Sequence, residues 1–354
     1  MEGASKPQTT TGRPRKAGPV LRGGIDLGGT KVEAIVVDDA NTILASSRHP
    51  TPSTGGPADV AAEMVKAMTS ACHAAGIEAA ALLGVGVGSP GVVDEATGTV
   101  STARNLPGWE GSFALGPELE SNLGTTVVIG NDVQVATDAE FALGAGRPYT
   151  SLLGVMWGTG VGGGLILNGK PWVGRGGAGE IGHVVVEIGG ARCPCGRRGC
   201  MEAYAGRAAM EARARKRQKE RRTDLFKIMK ERGRTKLTSS VWARALERGD
   251  KLTVELINEA VEALGAGIAS TLNLLDVPAV VIGGGLGVRL GEPYVKRIRN
   301  AMQPHLFNDT NPPDVLPAAL GDAGGAIGAA LLVKTAVARR PAARRPPAAT
   351  PAGA

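Results

Sequence analysis

The ordered part of the chain begins with an apolar strand that runs into a glycine turn, GIDLGGTK (residues 24–31). A second stretch of the same kind, GTGVGGG (residues 158–164), follows the apolar run at 152–156. In both, the turn glycines let backbone amides approach a phosphate, and a further strand follows. Neither is a Walker loop or a dinucleotide fingerprint, because no helix comes directly after the turn. The repeat predicts two similar halves that face each other across a cleft.

Helices and strands alternate along the rest of the chain, which favours an α/β protein. Apolar residues at helical spacing predict helices at residues 58–76, 132–143, 201–232, 254–275 and 323–337. Short apolar runs predict strands at 23–27, 32–37, 82–88, 127–129, 152–156, 164–167 and 279–282.

Composition and charge exclude several classes of protein. Apolar residues make up 43% and charged residues 21%, as in globular proteins, while 3% aromatic residues argue against stacking of single-stranded nucleic acid. The net charge of +7 comes from residues 1–20, 207–236 and 334–354, and the remaining chain is acidic. No signal-peptide core and no run of about 18 apolar residues is present. We therefore expect a cytoplasmic protein with no nucleic-acid partner and no membrane partner.

One histidine and three cysteines lie close together in EIGH (residues 180–183) and CPCGRRGC (residues 193–200). His183, Cys193, Cys195 and Cys200 supply a complete tetrahedral set for a structural Zn²⁺, and a disulfide is the weaker alternative. Glu180 and Glu202 flank this cluster. Folding of the loop around the metal would aim both carboxylates at one ligand; the alternative is that they are solvated surface groups.

Two aspartates follow apolar strands. Asp26 lies inside the first strand, where an unpaired carboxylate is costly, and a nearby hydrated Mg²⁺ would offset that cost; alternatively it caps an ordinary glycine hairpin. Asn131 and Asp132 end the strand VVIG (residues 127–130). Ligands of α/β proteins collect at such strand ends. Asp132 either takes a proton from an attacking hydroxyl or caps the following helix.

Together these motifs resemble the ROK family (repressors, open reading frames and sugar kinases) over about residues 22–335. The resemblance implies an α/β, actin-like (ribonuclease H-like) duplicated two-lobe sugar kinase fold that uses ATP, Mg²⁺ and a structural Zn²⁺. It implies nucleotide contacts from Asp26, Gly28, Gly29, Thr30, Lys31, Gly158, Thr159, Gly160, Gly162 and Gly163, with Gly284 near the adenosine. It implies sugar contacts from Asn105, Asn131, Asp132, Glu180, His183 and Glu202. Asp132 would be the catalytic base, and His183 would serve both the zinc and the sugar.

The resemblance also narrows the activity to phosphorylation of a hexose. The loop NLPGW (residues 105–109) looks like the glucokinase version of the sugar loop, so glucose and ATP are the expected substrates. N-acetylmannosamine, N-acetylglucosamine or fructose as acceptor, and polyphosphate as donor, are the alternatives; the basic segment 207–236 keeps the last one open. A sugar-responsive repressor is disfavoured, because the roughly 20 residues before the first turn are too few for a helix-turn-helix domain.

The expected organisation is a pair of lobes between two basic tails. We predict a disordered arm at 1–20, an N-terminal lobe at 21–130 completed by a helix at 320–337, and a disordered tail at 338–354. The C-terminal lobe, 131–319, contains the zinc loop 183–200 and the basic helical segment 207–236. A homodimer or homotetramer is expected.

Overall fold

The computed structural model describes residues 20–339 and contains two five-stranded mixed sheets with the same strand order and directions. The strands are β1 (Arg22–Leu27), β2 (Lys31–Val37), β3 (Ile43–Pro50), β4 (Val85–Ser89), β5 (Val92–Asp94), β6 (Thr99–Ser101), β7 (Ser112–Phe113), β8 (Val127–Asn131), β9 (Leu152–Trp157), β10 (Val161–Leu167), β11 (Lys170–Pro171), β12 (Ala279–Gly283) and β13 (Asp314–Pro317). The first sheet is ordered β3-β2-β1-β4-β8 and the second β11-β10-β9-β12-β13. The predicted internal duplication is therefore confirmed.

Each sheet contains an antiparallel hairpin followed by parallel strands. β1 pairs with β2 antiparallel across the first glycine turn, and β4 and β8 join it in parallel. In the second sheet β9 pairs with β10 across the second glycine turn, and β12 and β13 are parallel to β9 and to each other. A small sheet of β5, β6 and β7 follows β4. Both glycine turns therefore occupy the same place in their sheets.

The helices fill the connections between these strands. They are α1 (Pro57–Ala74), α2 (Leu115–Leu123), α3 (Asp132–Leu143), α4 (Glu202–Ala205), α5 (Arg207–Arg217), α6 (Leu225–Glu231), α7 (Ser239–Glu247), α8 (Lys251–Leu275), α9 (Gly284–Met302, interrupted at Gly291) and α10 (Gly324–Arg339). In the second lobe the apolar face of α8 is buried in the largest core, together with strands β9 and β12.

The prediction of one helical segment over 201–232 is wrong, because the chain breaks between α5 and α6. The Asp250 carboxylate accepts hydrogen bonds from the hydroxyl of Thr223 (2.9 Å) and the N–H of Asp224 (2.8 Å), which fixes the chain just before α6. The stretch before this anchor is strongly polar and has no apolar stripe to bury, so nothing holds it helical.

Helices α3 and α10 lie between the two sheets and pack against each other. α10 covers β1 and β4 of the first sheet, and α3 packs on β9 and β10 of the second. Each helix follows the last strand of one sheet and packs mainly on the other sheet. A contiguous cluster of Ile35, Ala139, Ala326 and Ala330 joins them.

Glycines let α10 lie directly on the backbone of the first sheet. A Cβ on Gly86 would be 1.7 Å from the carbonyl oxygen of Ala329, and one on Gly24 would be 2.1 Å from the carbonyl oxygen of Ala326. Both obstacles are helix backbone, which cannot move aside as a flexible side chain would. The glycines of β1 and β4 are thus packing requirements of the interface between sheet and helix.

The two ends of the chain fall largely outside the described residues. Of the predicted disordered arm at 1–20, only residue 20 is among the described residues. The predicted tail at 338–354 also lies outside them except for its first two residues, because α10 extends to Arg339. Between residues 20 and 339 no helix is long and apolar enough to cross a membrane. The oligomeric state remains a prediction.

We predict that Gly86→Ala destabilises the protein severely, by about 3 kcal/mol or more, because the added methyl group overlaps the backbone of α10. Gly111→Ala is the matched control, since a Cβ there meets no atom within 4 Å. Thermal unfolding of both variants measures the difference. Equal midpoints would contradict the close approach of α10 to β4.

Candidate active site

The carboxyl end of the first sheet brings two carboxylates to one edge. Asp26 in β1 pairs with Gly88 in β4, and Gly88 pairs with Gly130 in β8. Because adjacent strands lie about 4.8 Å apart, the Cα atoms of Asp26 and Gly130 are roughly 10 Å apart. β8 ends at Asn131, and α3 begins with Asp132. Asp26 and Asp132 therefore share this edge of the sheet.

Asn131 takes the capping role that the sequence left open for Asp132. The Asn131 Oδ1 accepts hydrogen bonds from the N–H groups of Val133 and Gln134, both at 3.1 Å, and is the N-cap of α3. Asp132 is the first residue of the helix, and its Oδ1 accepts from the N–H of Val133 at 2.9 Å. Burial, reinforced by the negative charge of Asp26, raises the pKa of Asp132 to about 7.

Asp26 lies beside the first turn of α10. A Cβ on Gly325 would be 2.8 Å from the carboxyl carbon of Asp26. A glycine at this position therefore allows the start of α10 to approach the carboxylate. Lys31 Nζ is 3.9 Å from Asp26 Oδ2 but 2.5 Å from Glu33 Oε2. Burial raises the pKa of Asp26 to about 6, although Lys31 lowers it. Lys31 therefore compensates the negative charge of Asp26 only in part. Such a carboxylate is suited to bind a hydrated Mg²⁺, which binds proteins through one or two carboxylates.

Gly28, Gly29 and Thr30 form the turn between β1 and β2. The hydroxyl of Thr51 donates to the carbonyl oxygen of Gly28 at 2.6 Å and braces the turn. A Cβ on Gly29 would be 3.1 Å from the backbone oxygen of Asn105. The loop that carries Asn105 therefore packs directly on the first glycine turn.

The second turn is shorter than the sequence indicated. It comprises residues 158–160, because β10 begins at Val161 and not at residue 164. Gly162 and Gly163 thus lie inside β10, where a Cβ would be 2.6 Å from the side chain of Val133 and 2.7 Å from a loop carbonyl oxygen, respectively. Close packing explains why both are glycine, and their contact with phosphate stays a prediction.

Gly284 brings the start of α9 to the second turn. It has a φ of +76°, and a Cβ there would be 2.6 Å from the amide nitrogen of Trp157. A Cβ on Gly158 would be 3.8 Å from the amide nitrogen of Gly285. The N-terminus of α9, a favourable place for anions, therefore lies against the turn.

His183, Cys193, Cys195 and Cys200 converge as the sequence predicted. Their donor atoms all lie within 4.8 Å of one another. Cys195 Sγ is 3.7 Å from Cys200 Sγ, and Cys193 Sγ is 3.8 Å from His183 Nδ1. Zn–S bonds of about 2.3 Å in a tetrahedron require S–S separations of about 3.8 Å, so the residues fit a zinc ion. All three cysteines are free thiols rather than disulfide partners.

Glycines and a local hydrogen-bond network shape the zinc loop. Gly196 and Gly199 have φ values of +92° and +80°, and a Cβ on Gly199 would be 1.8 Å from the carbonyl oxygen of Glu187. Burial pushes the pKa of Cys195 upward, but hydrogen bonds from the backbone and side chain of Arg197 outweigh it and lower the pKa to about 6. A thiolate, the form that binds zinc, is therefore favoured at Cys195 near neutral pH.

Glu180, His183 and Glu202 surround the metal site in different ways. His183 Nε2, opposite the nitrogen that faces the cysteines, is 3.7 Å from Glu180 Oε2, and the Glu180 side chain is 64% exposed. The negative charge of Glu180 also contributes to the raised pKa of Asp132, so the two acids lie within electrostatic range. Glu202 Oε2 accepts from the N–H of Val161 at 3.0 Å, while Oε1 is 3.8 Å from Cys193 Sγ. Glu202 thus links the zinc loop to β10.

Arg207, which was not among the residues predicted from the sequence, also reaches the second turn. Its Nη2 donates to Thr159 Oγ1 at 2.7 Å, and its Nη1 donates to Ser239 Oγ at 3.4 Å. Nothing in the sequence distinguishes Arg207 from the other basic residues of the segment 207–236. Only the fold shows that this side chain belongs to the site.

Two equivalent glycine turns, a pair of carboxylates at one sheet edge and helices exchanged between two lobes define an α/β fold of the actin-like ATPase type. The ROK family profile matches residues 22–336, and the chain belongs to the ROK family. Its fold is that of the ROK sugar kinases, so the fold class predicted from the sequence is confirmed.

Relatives cover nearly the whole described chain. The glucokinase of Streptomyces coelicolor is 32% identical over 316 residues, 88% of this chain and 96% of that protein. The N-acetylgalactosamine kinase of Shewanella sp. strain ANA-3 is also 32% identical, over 87% of this chain and 95% of that protein. The crystal structure of a ROK family glucokinase from Streptomyces griseus in complex with glucose and AMPPNP superposes with a TM-score of 0.73, at 31% identity, over 90% of this chain and 100% of that one.

We predict that Cys195→Ser abolishes stoichiometric zinc binding and lowers the midpoint of thermal unfolding by about 5–10 °C, because a structural metal contributes folding free energy. Elemental analysis and calorimetry measure the two effects. Cys72→Ala is the control, since Cys72 is a buried thiol of α1 outside the cluster. Wild-type protein that is folded and free of zinc would contradict the metal assignment.

A second prediction follows from the raised pKa of Asp132. An acid whose pKa is higher in the folded protein than in the unfolded chain costs stability as the pH rises between the two values. Asp132→Asn should therefore stabilise the fold, and by more at pH 8, where the native carboxylate is ionised, than at pH 5, where it is protonated. Denaturant unfolding of both proteins at the two pH values tests this. A pH-independent difference would show that Asp132 is not desolvated.

Proposed function

We propose that this protein transfers the γ-phosphoryl group of ATP to the 6-hydroxyl of a hexose, with glucose as the preferred acceptor. The observation that carries the proposal is the carboxylate of Asp132 at the end of β8. It is partly shielded from water, lies within electrostatic range of Asp26 and Glu180, and is not the capping group of α3. The names of the ROK relatives, all sugar kinases among those described above, support the same reaction.

In this reaction Asp132 accepts the proton of the attacking hydroxyl. The hydroxyl oxygen forms a bond to the γ-phosphorus, the bond from that phosphorus to the β,γ-bridging oxygen breaks, and ADP leaves. A base works best when its pKa is near the working pH, and the pKa of Asp132, about 7, meets that condition. Mg²⁺ held near Asp26 supplies neutralisation of phosphate charge when bound.

The remaining site residues supply contacts to the sugar hydroxyls. Asn131 uses its Oδ1 for the helix cap, so its NH₂ group remains for the sugar. With Nδ1 of His183 on the metal, Nε2 carries the proton and donates to a hydroxyl. Glu180 accepts from a hydroxyl, and Asn105 approaches from the loop that packs on Gly29. Glu202 contributes chiefly by holding β10 to the zinc loop.

Ion pairs in the first part of the basic segment support ATP rather than polyphosphate as the donor. Arg213 pairs with Glu259, and Arg217 pairs with Glu255 and Glu259, both at 2.8 Å. Arg215 pairs with Glu211 at 2.5 Å. These guanidinium groups are already neutralised by carboxylates of α5 and α8, so they offer a long polyanion little attraction.

Relatives named glucokinase and N-acetylgalactosamine kinase are equally similar to this chain, at 32% identity. An N-acetylhexosamine is therefore the second candidate. A coupled assay of ADP release over glucose, N-acetylglucosamine, N-acetylgalactosamine, N-acetylmannosamine and fructose ranks them by kcat/KM. We expect glucose to rank first with ATP and polyphosphate to support no faster transfer.

We predict that Asp132→Asn lowers kcat by at least about 100-fold, because Asn keeps the size of the side chain but removes the proton acceptor. Affinity for the sugar and for ATP should stay within about tenfold. The measurement is steady-state turnover together with direct binding of both substrates.

Asp138→Asn is the matched control. Asp138 also lies on α3, burial also raises its pKa to about 7, and its carboxylate accepts from Gln134 Nε2 at 2.7 Å, away from the sheet edge. Wild type and Asp138→Asn should both lose kcat/KM below about pH 7 as Asp132 is protonated, whereas the residual activity of Asp132→Asn should lack that step. Equal activity of Asp132→Asn and Asp138→Asn would refute the assignment of the base.

A further inference from the structure

Helix α5 is fastened by its first residues to the second glycine turn. The backbone N–H of Arg207 donates to the carbonyl oxygen of Gly158 at 3.2 Å, and that of Ala208 donates to the carbonyl oxygen of Thr159 at 3.0 Å. These bonds satisfy amides at the helix start that would otherwise lack partners. The position of the Arg207 backbone is therefore fixed by the turn itself.

The guanidinium group of Arg207 is held beside the turn by neutral partners. The side-chain hydrogen bonds are those to the hydroxyls of Thr159 and Ser239. Among residues 20–339 no carboxylate forms an ion pair with Arg207, and Glu211, the nearest compensating charge, is already bonded to Arg215. Burial lowers the pKa of Arg207, which reflects the poor compensation of its charge.

Four other arginines of the basic segment do have carboxylate partners. Arg213, Arg215, Arg217 and Arg221 all pair with glutamates of α5 or α8. Lys31, the cation of the first turn, is likewise close to Glu33 and Asp26. Arg207 is therefore the cation at the two glycine turns that lacks a carboxylate in the part of the chain described. Because Arg207 is half-buried beside the turn and has only neutral partners, an anion is expected to bind there.

The surroundings of Arg207 specify the kind of anion. Ser239, its second hydroxyl partner, is 3.5 Å from the position that a Cβ on Gly285 would occupy, so the guanidinium lies between the turn and the N-terminus of α9. A guanidinium has five N–H donors in a planar fork that suits phosphate oxygens, and here two of its nitrogens are engaged by hydroxyls.

We propose that Arg207 binds the phosphate chain of the nucleotide donor and of its product. This inference rests on the proposed function for the identity of the donor as ATP. Arg207 is a binding and specificity residue in this account, with no part in proton transfer.

The test measures nucleotide binding without sugar turnover, by calorimetry on the full zinc-loaded chain with Mg²⁺. Arg207→Ala should weaken binding of ADP at least tenfold, while adenosine should bind within about twofold of wild type. Arg207→Lys should recover only part of the loss, because an ammonium lacks the planar fork. Arg221→Ala is the control: it removes the same charge from an exposed position paired with Glu255 and should leave ADP binding unchanged.

The outcomes separate this inference from the proposed function. Equal losses for ADP and adenosine would show that Arg207 only shapes the turn, and unchanged ADP binding would show that it does not contact phosphate; either overturns the inference. Wild-type protein that binds ADP in an Arg207-dependent manner but phosphorylates no hexose would overturn the proposed acceptor and leave the role of Arg207 standing.

Discussion

The site depends on the cost of placing two half-buried carboxylates near each other at one edge of the first sheet. Asp132 is the first residue of α3, and Asp26 lies against the first turn of α10. Helix N-termini carry partial positive charge, so each acid receives some compensation from a helix end. Because the duplicated topology packs α3 against α10, it also brings those two helix ends, and hence the two acids, together. The raised pKa values of Asp26 and Asp132 indicate that this compensation is incomplete.

In the second lobe the zinc loop, β10 and the start of α5 are linked to one another by a continuous series of contacts. The zinc loop holds His183 near Glu180, and Glu202, two residues after the last cysteine, is bonded to the first residue of β10. α4 and α5 then follow, and the start of α5 is bonded to the turn before β10. One short segment of chain therefore connects the zinc loop both to the surroundings of Glu180 and to the second glycine turn.

Most of the candidate site could be predicted because its residues lie in short local motifs. The features that depend on packing between distant segments could not be predicted from the sequence. Strand ends, the His/Cys₃ spacing and the Asn131-Asp132 pair are short-range patterns, and they identified the sheet edge and the metal cluster. The packing of Gly162 against Val133 could not be predicted, because a glycine that avoids a side chain looks the same in sequence as one that approaches a phosphate. Strands β5 to β7 have only two or three residues each, which is too short for an alternating apolar pattern to be recognised. Helix α9 was not predicted because it begins with a run of glycines, which are unfavourable in helices. Arg207 was not predicted because the sequence does not show which arginines have a carboxylate neighbour in the folded protein.

The exchange of α3 and α10 between the sheets has a consequence for synthesis. More than 200 residues separate the end of β4 from the start of α10, which covers it. At about 5–20 residues per second, ribosomal elongation leaves the faces of β1 and β4 uncovered for roughly 10–50 s after they emerge. The first lobe therefore cannot mature ahead of the second, although it is made first. The first lobe is complete only when α10, the last helix of the described residues, has been made.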